Sequence, residues 1–476
     1  MGILLVGAAA ALLDTTIVSV AIDDLTRAFH TTVSTAQWAT TGYLLAMATA
    51  IPMMGWLTDR WGARRLWLVT LWLFMLGSVL CAAAWSIESL IAFRILQGLG
   101  GGLILPLVQA ILAGAAGPHR MGRVMGLVGI PGQLAPILGP VLGGVILGSL
   151  GWRWIFLVNV PLCLFALWLA SRHLRVAEHR SRARLDGIGV LLLIPAIVAI
   201  LAGLTTAGES GFLAALPIAL LSGGAALLAG FVLHARRRGE RALVDLRLFR
   251  HRSFAVATVM MFLAGVCLYG PMLLLPLFYR QARGIAVTDI GLLLAPQGLG
   301  LMAALWVAGR WADQIGPRIV ALAGVFLAGS GVAVFVVAIN APIAVLSAAL
   351  VALGAGLGAI GVAVSATSYR DVDPPTIPRA TSLLNVVQRI GASFGTVVIA
   401  LILHQQLDAL ALPGATDEAF ARTFAWALGF LAAALVVVLF LPAKPPQPRP
   451  STDIQNLPSS CHHVGLAVVV RSRRRS

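Results

Sequence analysis

Fourteen stretches of about twenty mostly apolar residues recur along this chain, each long enough for a helix to cross a hydrocarbon layer about 30 Å thick. They lie near 2–22, 38–58, 65–84, 89–114, 122–147, 152–171, 187–205, 212–233, 253–276, 288–309, 317–338, 342–367, 380–403 and 421–442. A soluble domain cannot hide that much apolar surface. Of the 476 residues, 59% are hydrophobic and 11% charged, against about 45–50% and about 25% in ordinary soluble domains. A disordered chain, a secreted disulfide scaffold and a cytosolic enzyme are excluded, which leaves an all-α polytopic membrane protein. The first run starts at the N-terminus with no positive region and no small-residue cleavage site, so it reads as a span and not as a removable signal peptide.

The formal charge of +16 does not point to nucleic acid, because the basic residues sit in short clusters between apolar runs. Only one of them is a lysine, Lys444, in AKPPQP near the C-terminus. A nucleotide-driven pump needs a phosphate-cradling GxxxxGK[ST] loop, and the chain has none. Energy is more simply drawn from an ion gradient. The four cysteines, Cys81, Cys163, Cys267 and Cys461, have no CxxC spacing, so neither a disulfide nor a metal site is expected, and no cofactor is called for.

Arginines also set the orientation, since positive loops stay cytoplasmic. With the N-terminus inside, the inner segments hold 27 Lys and Arg and the outer segments 5. That asymmetry predicts an even number of spans with both termini cytoplasmic. A weak internal repeat accompanies it: GWLTDRWGARR after span 2 and GRWADQIGPR after span 10 both carry Gly, Asp, Gly and Arg in order. Half-to-half similarity of this kind marks transporters whose substrate site lies between repeated bundles. The expected organisation is a six-helix bundle over 1–171, two inserted helices with basic loops over 172–252, a second six-helix bundle over 253–442, and a disordered, Pro-rich cytoplasmic tail over 443–476.

Among 18 acidic residues, Asp14 stands apart, because it lies a dozen residues into span 1 with apolar neighbours on both sides. Inserting a carboxylate there costs about 2.5–3.5 kcal/mol, so an intramembrane acid marks a functional site by default, here a reversible proton carrier. The blander alternative is a structural acid paired with a buried cation or bonded to Thr15 and Thr16. Arg94, just inside span 4, is expected at a matching depth and needs a partner or a wet cavity; its alternative is snorkelling to the headgroups. No histidine falls mid-span, which disfavours a histidine relay. Polar candidates for a substrate cavity are Trp38, Tyr43, Gln97, Gln109, Gln133, Asn159, Gln297, Asn385, Gln388 and Arg389, each of which could equally be helix-packing glue.

Four motifs in order then resemble one family over about residues 12–442. They are LDTTIVSVA (Leu13 to Ala21), GWLTDRWGARR (Gly55 to Arg65), LIAFRILQGLGGG (Leu90 to Gly102), and the run with Gly126, Gly139, Pro140, Gly143 and Gly144. Together they resemble the fourteen-helix drug:proton antiporters of the major facilitator superfamily. The resemblance implies two six-helix bundles plus two central helices. It implies proton coupling at Asp14 with Arg94. It also implies a conformational latch at Gly55, Asp59, Arg60, Gly62, Arg64 and Arg65, with the repeat adding Asp313, and an antiporter motif on helix 5. Ala63 and Ala135 depart from the usual pattern.

The expectation is therefore a bacterial plasma-membrane exporter, not an enzyme, that moves lipophilic neutral or monocationic drugs by alternating access. Its partners are an amphiphilic small molecule, protons and the bilayer; nucleic acid is not expected, and the protein is expected to be a monomer. A rival keeps the fold but exports one endogenous metabolite, self-made antibiotic or lipid. A membrane enzyme or scaffold would need a cluster of polar catalytic groups, which the spans do not offer.

Overall fold

The computed structural model describes residues 2–116, 120–174, 184–409 and 416–442, and every regular element among them is helical. Backbone N–H and C=O groups find no water in a bilayer core, so each span must satisfy its own, and helices do this. The chain runs through α1 (Gly2–Val20), α2 (Ile22–Ala28), α3 (Val33–Ala50), α4 (Met54–Trp61), α5 (Ala63–Ala82), α6 (Ile87–Ala116) and α7 (Met121–Ser149). It continues with α8 (Trp154–Leu157), α9 (Asn159–His173), α10 (Gly187–Ser210), α11 (Ala215–Arg238), α12 (Arg252–Leu277), α13 (Val287–Ile315), α14 (Pro317–Val337), α15 (Ile343–Ser368), α16 (Ile377–Ala409) and α17 (Thr416–Val438).

Among the described residues, 11 helices are long and apolar enough to cross a membrane, and up to 12 if the α1–α2 pair, bent by 66°, counts as one span. The sequence expectation of fourteen includes two regions outside that count. One is 38–58, where a 3-10 turn at Ile51–Met53 carrying Pro52 interrupts the helix between α3 and α4. The other is α7, of which only Met121–Ile130 forms a described apolar stretch. Large apolar side chains such as Leu191, Leu213, Leu292 and Val337 face outward, as they do when the surrounding solvent is lipid.

Helices α3, α5 and α6 pack together, and α1 joins them through α7 and α9. A second group is built from α12 with α16 and α17, and from α13, α14 and α15. Its core centres on Phe278, Phe335, Phe420 and Phe424, whose rings meet at centroid distances of 4.9–6.1 Å. Helices α10 and α11 pack on each other and touch the rest through α16 and α3. Asp186 fastens them: it caps α10 by accepting from Gly189 N, accepts from Leu243 N at 3.1 Å, and lies 2.8 Å from His234 Nε2. Burial alone would raise the Asp186 carboxyl, but these hydrogen bonds outweigh it and hold it below the usual aspartate range.

The two repeat turns are alike in backbone as well as in sequence. Helix α4 ends at Gly62 with φ 82°, and α13 ends at Gly316 with φ 97°, a region an L side chain enters only with strain. Each glycine follows its aspartate by three residues.

Candidate functional site

Asp14 and Arg94 face each other inside the first helix group, both with no exposed surface. Arg94 Nη1 donates to Asp14 Oδ2 at 2.6 Å, and Arg94 Nε donates to the Ala39 carbonyl at 3.1 Å. Gln97, one turn along α6, donates to Asp14 Oδ1 at 3.0 Å and accepts from Arg94 Nη1 at 2.7 Å. Asn159, the first residue of α9, donates to the same Asp14 oxygen at 2.8 Å. Ser78 on α5 completes the set, accepting from Gln97 and Asn159 at 3.1 Å each while donating to the Phe156 carbonyl.

Groups from α6 and α9 thus bond the α1 carboxylate, and Ser78 of α5 and the Ala39 carbonyl of α3 hold those groups in turn, which is why its burial is tolerated: an enclosed charge must be both paired and hydrogen-bonded. The Tyr43 ring lies 4.0 Å from the Arg94 guanidinium carbon, adding a cation–π contact. Three polar atoms in this core, Arg94 Nη2, Tyr43 Oη and Asn159 Oδ1, have no partner among the described residues. The site therefore holds an enclosed ion pair surrounded by polar atoms that are not all used.

Several sequence readings are refined here. Arg94 does not snorkel to the surface. Thr15 and Thr16 bond to the Leu12 and Leu13 carbonyls of their own helix. Gln97, Asn159 and Tyr43, read as cavity residues, lie enclosed around Asp14 instead. Ser78 was not singled out, and an isolated serine in an apolar run carries no signal that could have singled it out.

The remaining cavity candidates separate. Asn385 donates to Gln109 Oε1 at 2.8 Å, joining α16 to α6 across the two helix groups. Arg389 follows Asn385 by four residues on the same face of α16 and is half-buried with Gln388 beside it. Gln297 is half-buried on α13, and Trp38 is largely exposed. The Gln133 and Pro140 side chains lie outside the described residues, as does the 443–476 tail.

At the Arg-rich end the groups close on each other. Arg379 donates to Asp59 Oδ2 at 2.8 Å. A Cβ on Gly55 would lie 2.5 Å from Arg379 Cγ, so glycine makes room for that arginine. Ser382 donates to the Ile51 carbonyl, again from α16 to the α3–α4 segment. Asp313 accepts from the backbone of Gly122 at 2.8 Å and of Arg123 at 3.2 Å, in the first turn of α7. Arg64 bonds to the Ser171 carbonyl at 2.7 Å, whereas Arg60 and Arg65 are exposed.

The glycines of α7 divide between two neighbours. Gly122 and Gly126 press against α13, where a Cβ on Gly126 would overlap the Leu305 carbonyl. Gly139 presses against the Thr16 side chain of α1, and Gly143 meets Ile17 at ordinary contact distance. Gly144, grouped with them from sequence, faces open space.

A model described as Major Facilitator Superfamily matches residues 4–296 and 257–475. A Mycobacterium tuberculosis protein named "Multidrug resistance protein B homolog" is 39% identical over 411 residues, covering 86% of this chain and 76% of that protein. A Listeria monocytogenes protein named "Lincomycin resistance protein LmrB" is 26% identical, covering 82% of each chain. Among solved structures, the proton:xylose symporter XylE superposes with a TM-score of 0.57 at 18% identity, covering 91% of this chain and 95% of that one.

Proposed function

The chain belongs to the Major Facilitator Superfamily, and from that premise we propose that it is a proton-coupled multidrug efflux transporter of a bacterial plasma membrane. The observation that carries the proton step is the enclosure of Asp14 with Arg94, Gln97 and Asn159. Protonation of Asp14 releases its hold on Arg94. The guanidinium is then left with Gln97 and the Ala39 carbonyl as its partners, and the helices bearing these groups shift. Substrates are lipophilic and neutral or monocationic, in keeping with the resistance names of the relatives.

In this reading the chain crosses the membrane fourteen times, with 1–171 and 253–442 as the two bundles and 172–252 between them. Both termini and the Arg-rich end are cytoplasmic, and the protein works as a monomer. Closure at Asp59–Arg379 and Asp313–α7 then seals the cytoplasmic side, so this is the state that receives protons from outside. The substrate cavity lies above Gln109–Asn385, bordered by Gln388 and Arg389.

Purified protein in liposomes with an internal pH dye tests the reading, with ethidium and then an uncharged antibiotic added to wild type and Asp14→Asn. Proton flux in wild type that vanishes in the variant, with ethidium binding retained, is the expected result. Equal flux in both would remove Asp14 from coupling. Response to one compound only, among many tried, would favour a dedicated exporter.

A further inference from the structure

Beside the Asp313 contact, α7 and α13 leave a cavity of about 70 Å³ lined by Arg123, Leu127, Leu305, Trp306 and Arg310. Its composition is unlike the rest of the interface, where glycines bring the two backbones together. The Arg310 guanidinium carbon stands 3.5 Å from the Trp306 ring centroid, stacked and held in place. Among the described residues no acid pairs with Arg310 or with the Arg123 side chain. Asp313, the nearest acid in sequence, spends its carboxylate oxygens on the α7 backbone.

Two guanidiniums with no acid partner among the described residues, over a small pocket, call for an anion with several acceptor oxygens, since arginine's fork matches phosphate geometry. The apolar half of the lining calls for a hydrocarbon. Leu127 and Leu305 are part of the lining, and Trp306, 55% exposed, lies near the end of the apolar run 288–309, where aromatic residues sit at a headgroup boundary. A phosphate that carries an acyl chain satisfies both demands.

We propose that this cavity is a binding site for the headgroup of an anionic phospholipid of the cytoplasmic leaflet, held by Arg123 and Arg310 with the glycerol and chain against Trp306 and Leu127. Basic pockets between membrane helices on the cytoplasmic side recognise such headgroups. Arg123 belongs to the first helix group and Arg310 to the second, so a bound headgroup touches both and favours the closed state of this end. The site goes beyond the transport reading and borrows from it only the identity of the cytoplasmic leaflet. Lipid retention is measured without transport, so either claim can fail alone.

Native mass spectrometry of the full chain in mild detergent, titrated with phosphatidylglycerol or phosphatidylcholine, tests the proposal. Wild type is expected to retain one phosphatidylglycerol in preference to phosphatidylcholine. Arg123→Gln with Arg310→Gln is expected to weaken that binding roughly 25-fold, from about fivefold for each guanidinium lost. Arg237→Gln with Arg238→Gln, exposed at the end of α11, controls for diffuse charge and is expected to leave binding in place. Should the first pair prevent folding, Trp306→Leu is measured in its place, with a several-fold loss expected. Equal retention of the two lipids, unchanged affinity in the cavity variant, or an equal loss in the control would overturn the site. Displacement of phosphatidylglycerol by millimolar inorganic phosphate would overturn the lipid assignment in favour of a free anion.

Discussion

Arg379 reaches Asp59 at 2.8 Å across 320 residues of sequence, and the contact has a counterpart on the other side of the molecule. Asp59 closes α4 three residues before Gly62 and holds the first turn of α16. Asp313 closes α13 three residues before Gly316 and holds the first turn of α7. Each repeat turn therefore extends an aspartate to the first turn of a helix distant in sequence. The partners differ: an arginine side chain for Asp59, backbone N–H groups for Asp313. A helix N-terminus and a guanidinium offer charge of the same sign to a carboxylate.

The Asp59–Arg379 pair is partly exposed, so its strength is modest, about 1 kcal/mol. Removing it by Asp59→Asn is expected to shift the closed-to-open balance of the Arg-rich end by roughly fivefold toward open. Transport slows while membrane insertion is unaffected, and the exchange Asp59→Arg with Arg379→Asp restores part of the rate. Double electron–electron resonance between labels on α4 and α16 measures the balance; unchanged distances in Asp59→Asn would dismiss the latch.

Glycine substitutions along α7 should separate cleanly. Gly126→Ala forces a Cβ into the Leu305 carbonyl, and Gly139→Ala forces one into Thr16, so both are expected to lower transport roughly tenfold, about 1.4 kcal/mol and within the range that overpacking costs. Gly144→Ala adds a methyl group to open space and is expected to behave as wild type. Transport assays of three variants at matched expression decide this, and equal defects in all three would mean that close packing is not the role of these glycines.

Much of this was legible in the sequence because it rests on strong local signals. A carboxylate within an apolar run and a Gly-x-x-x-Asp turn repeated after span 10 both located residues that the fold brings into play. What was not legible depends on which helices become neighbours. Gln97 and Asn159 could be read as polar, but only the convergence of α1, α5, α6 and α9 assigns them to Asp14. Arg379 could be counted as one more basic loop residue, since no spacing rule links it to Asp59. Gly143 and Gly144 are adjacent and identical in type, yet the helical turn aims one at α1 and the other away from any neighbour.

On the cavity proposed above, Arg389 is expected to set a charge preference that can be measured. It stands one turn beyond Asn385, which bonds to Gln109 of α6, and among the described residues no acid pairs with it. A fixed cation there repels cationic substrates and tolerates neutral ones. Arg389→Gln is expected to raise ethidium transport relative to an uncharged antibiotic several-fold, and Arg389→Glu to raise it further. Ratios that do not move, in variants that fold and still transport the antibiotic, would place Arg389 outside the substrate path.

The α10–α11 pair offers a prediction about pH. Asp186 is held below the usual aspartate range by His234, Gly189 and Leu243, despite burial acting the other way. A carboxyl lowered in the folded state adds stability that is fully present above its unfolded value, near 3.8, and is lost as pH falls through the lower folded value. The pair should therefore keep its packing through mildly acidic conditions and loosen only below about pH 4. Asp186→Asn removes the charge at every pH while leaving a side chain that can still cap α10. Its melting temperature is expected to fall by a few degrees at neutral pH and to converge with wild type in strong acid. Limited proteolysis at the 239–250 segment, compared between the two proteins from neutral to acid pH, follows the same loss locally. A constant gap between them down to strong acid would show that the Asp186 charge is not what fastens these helices.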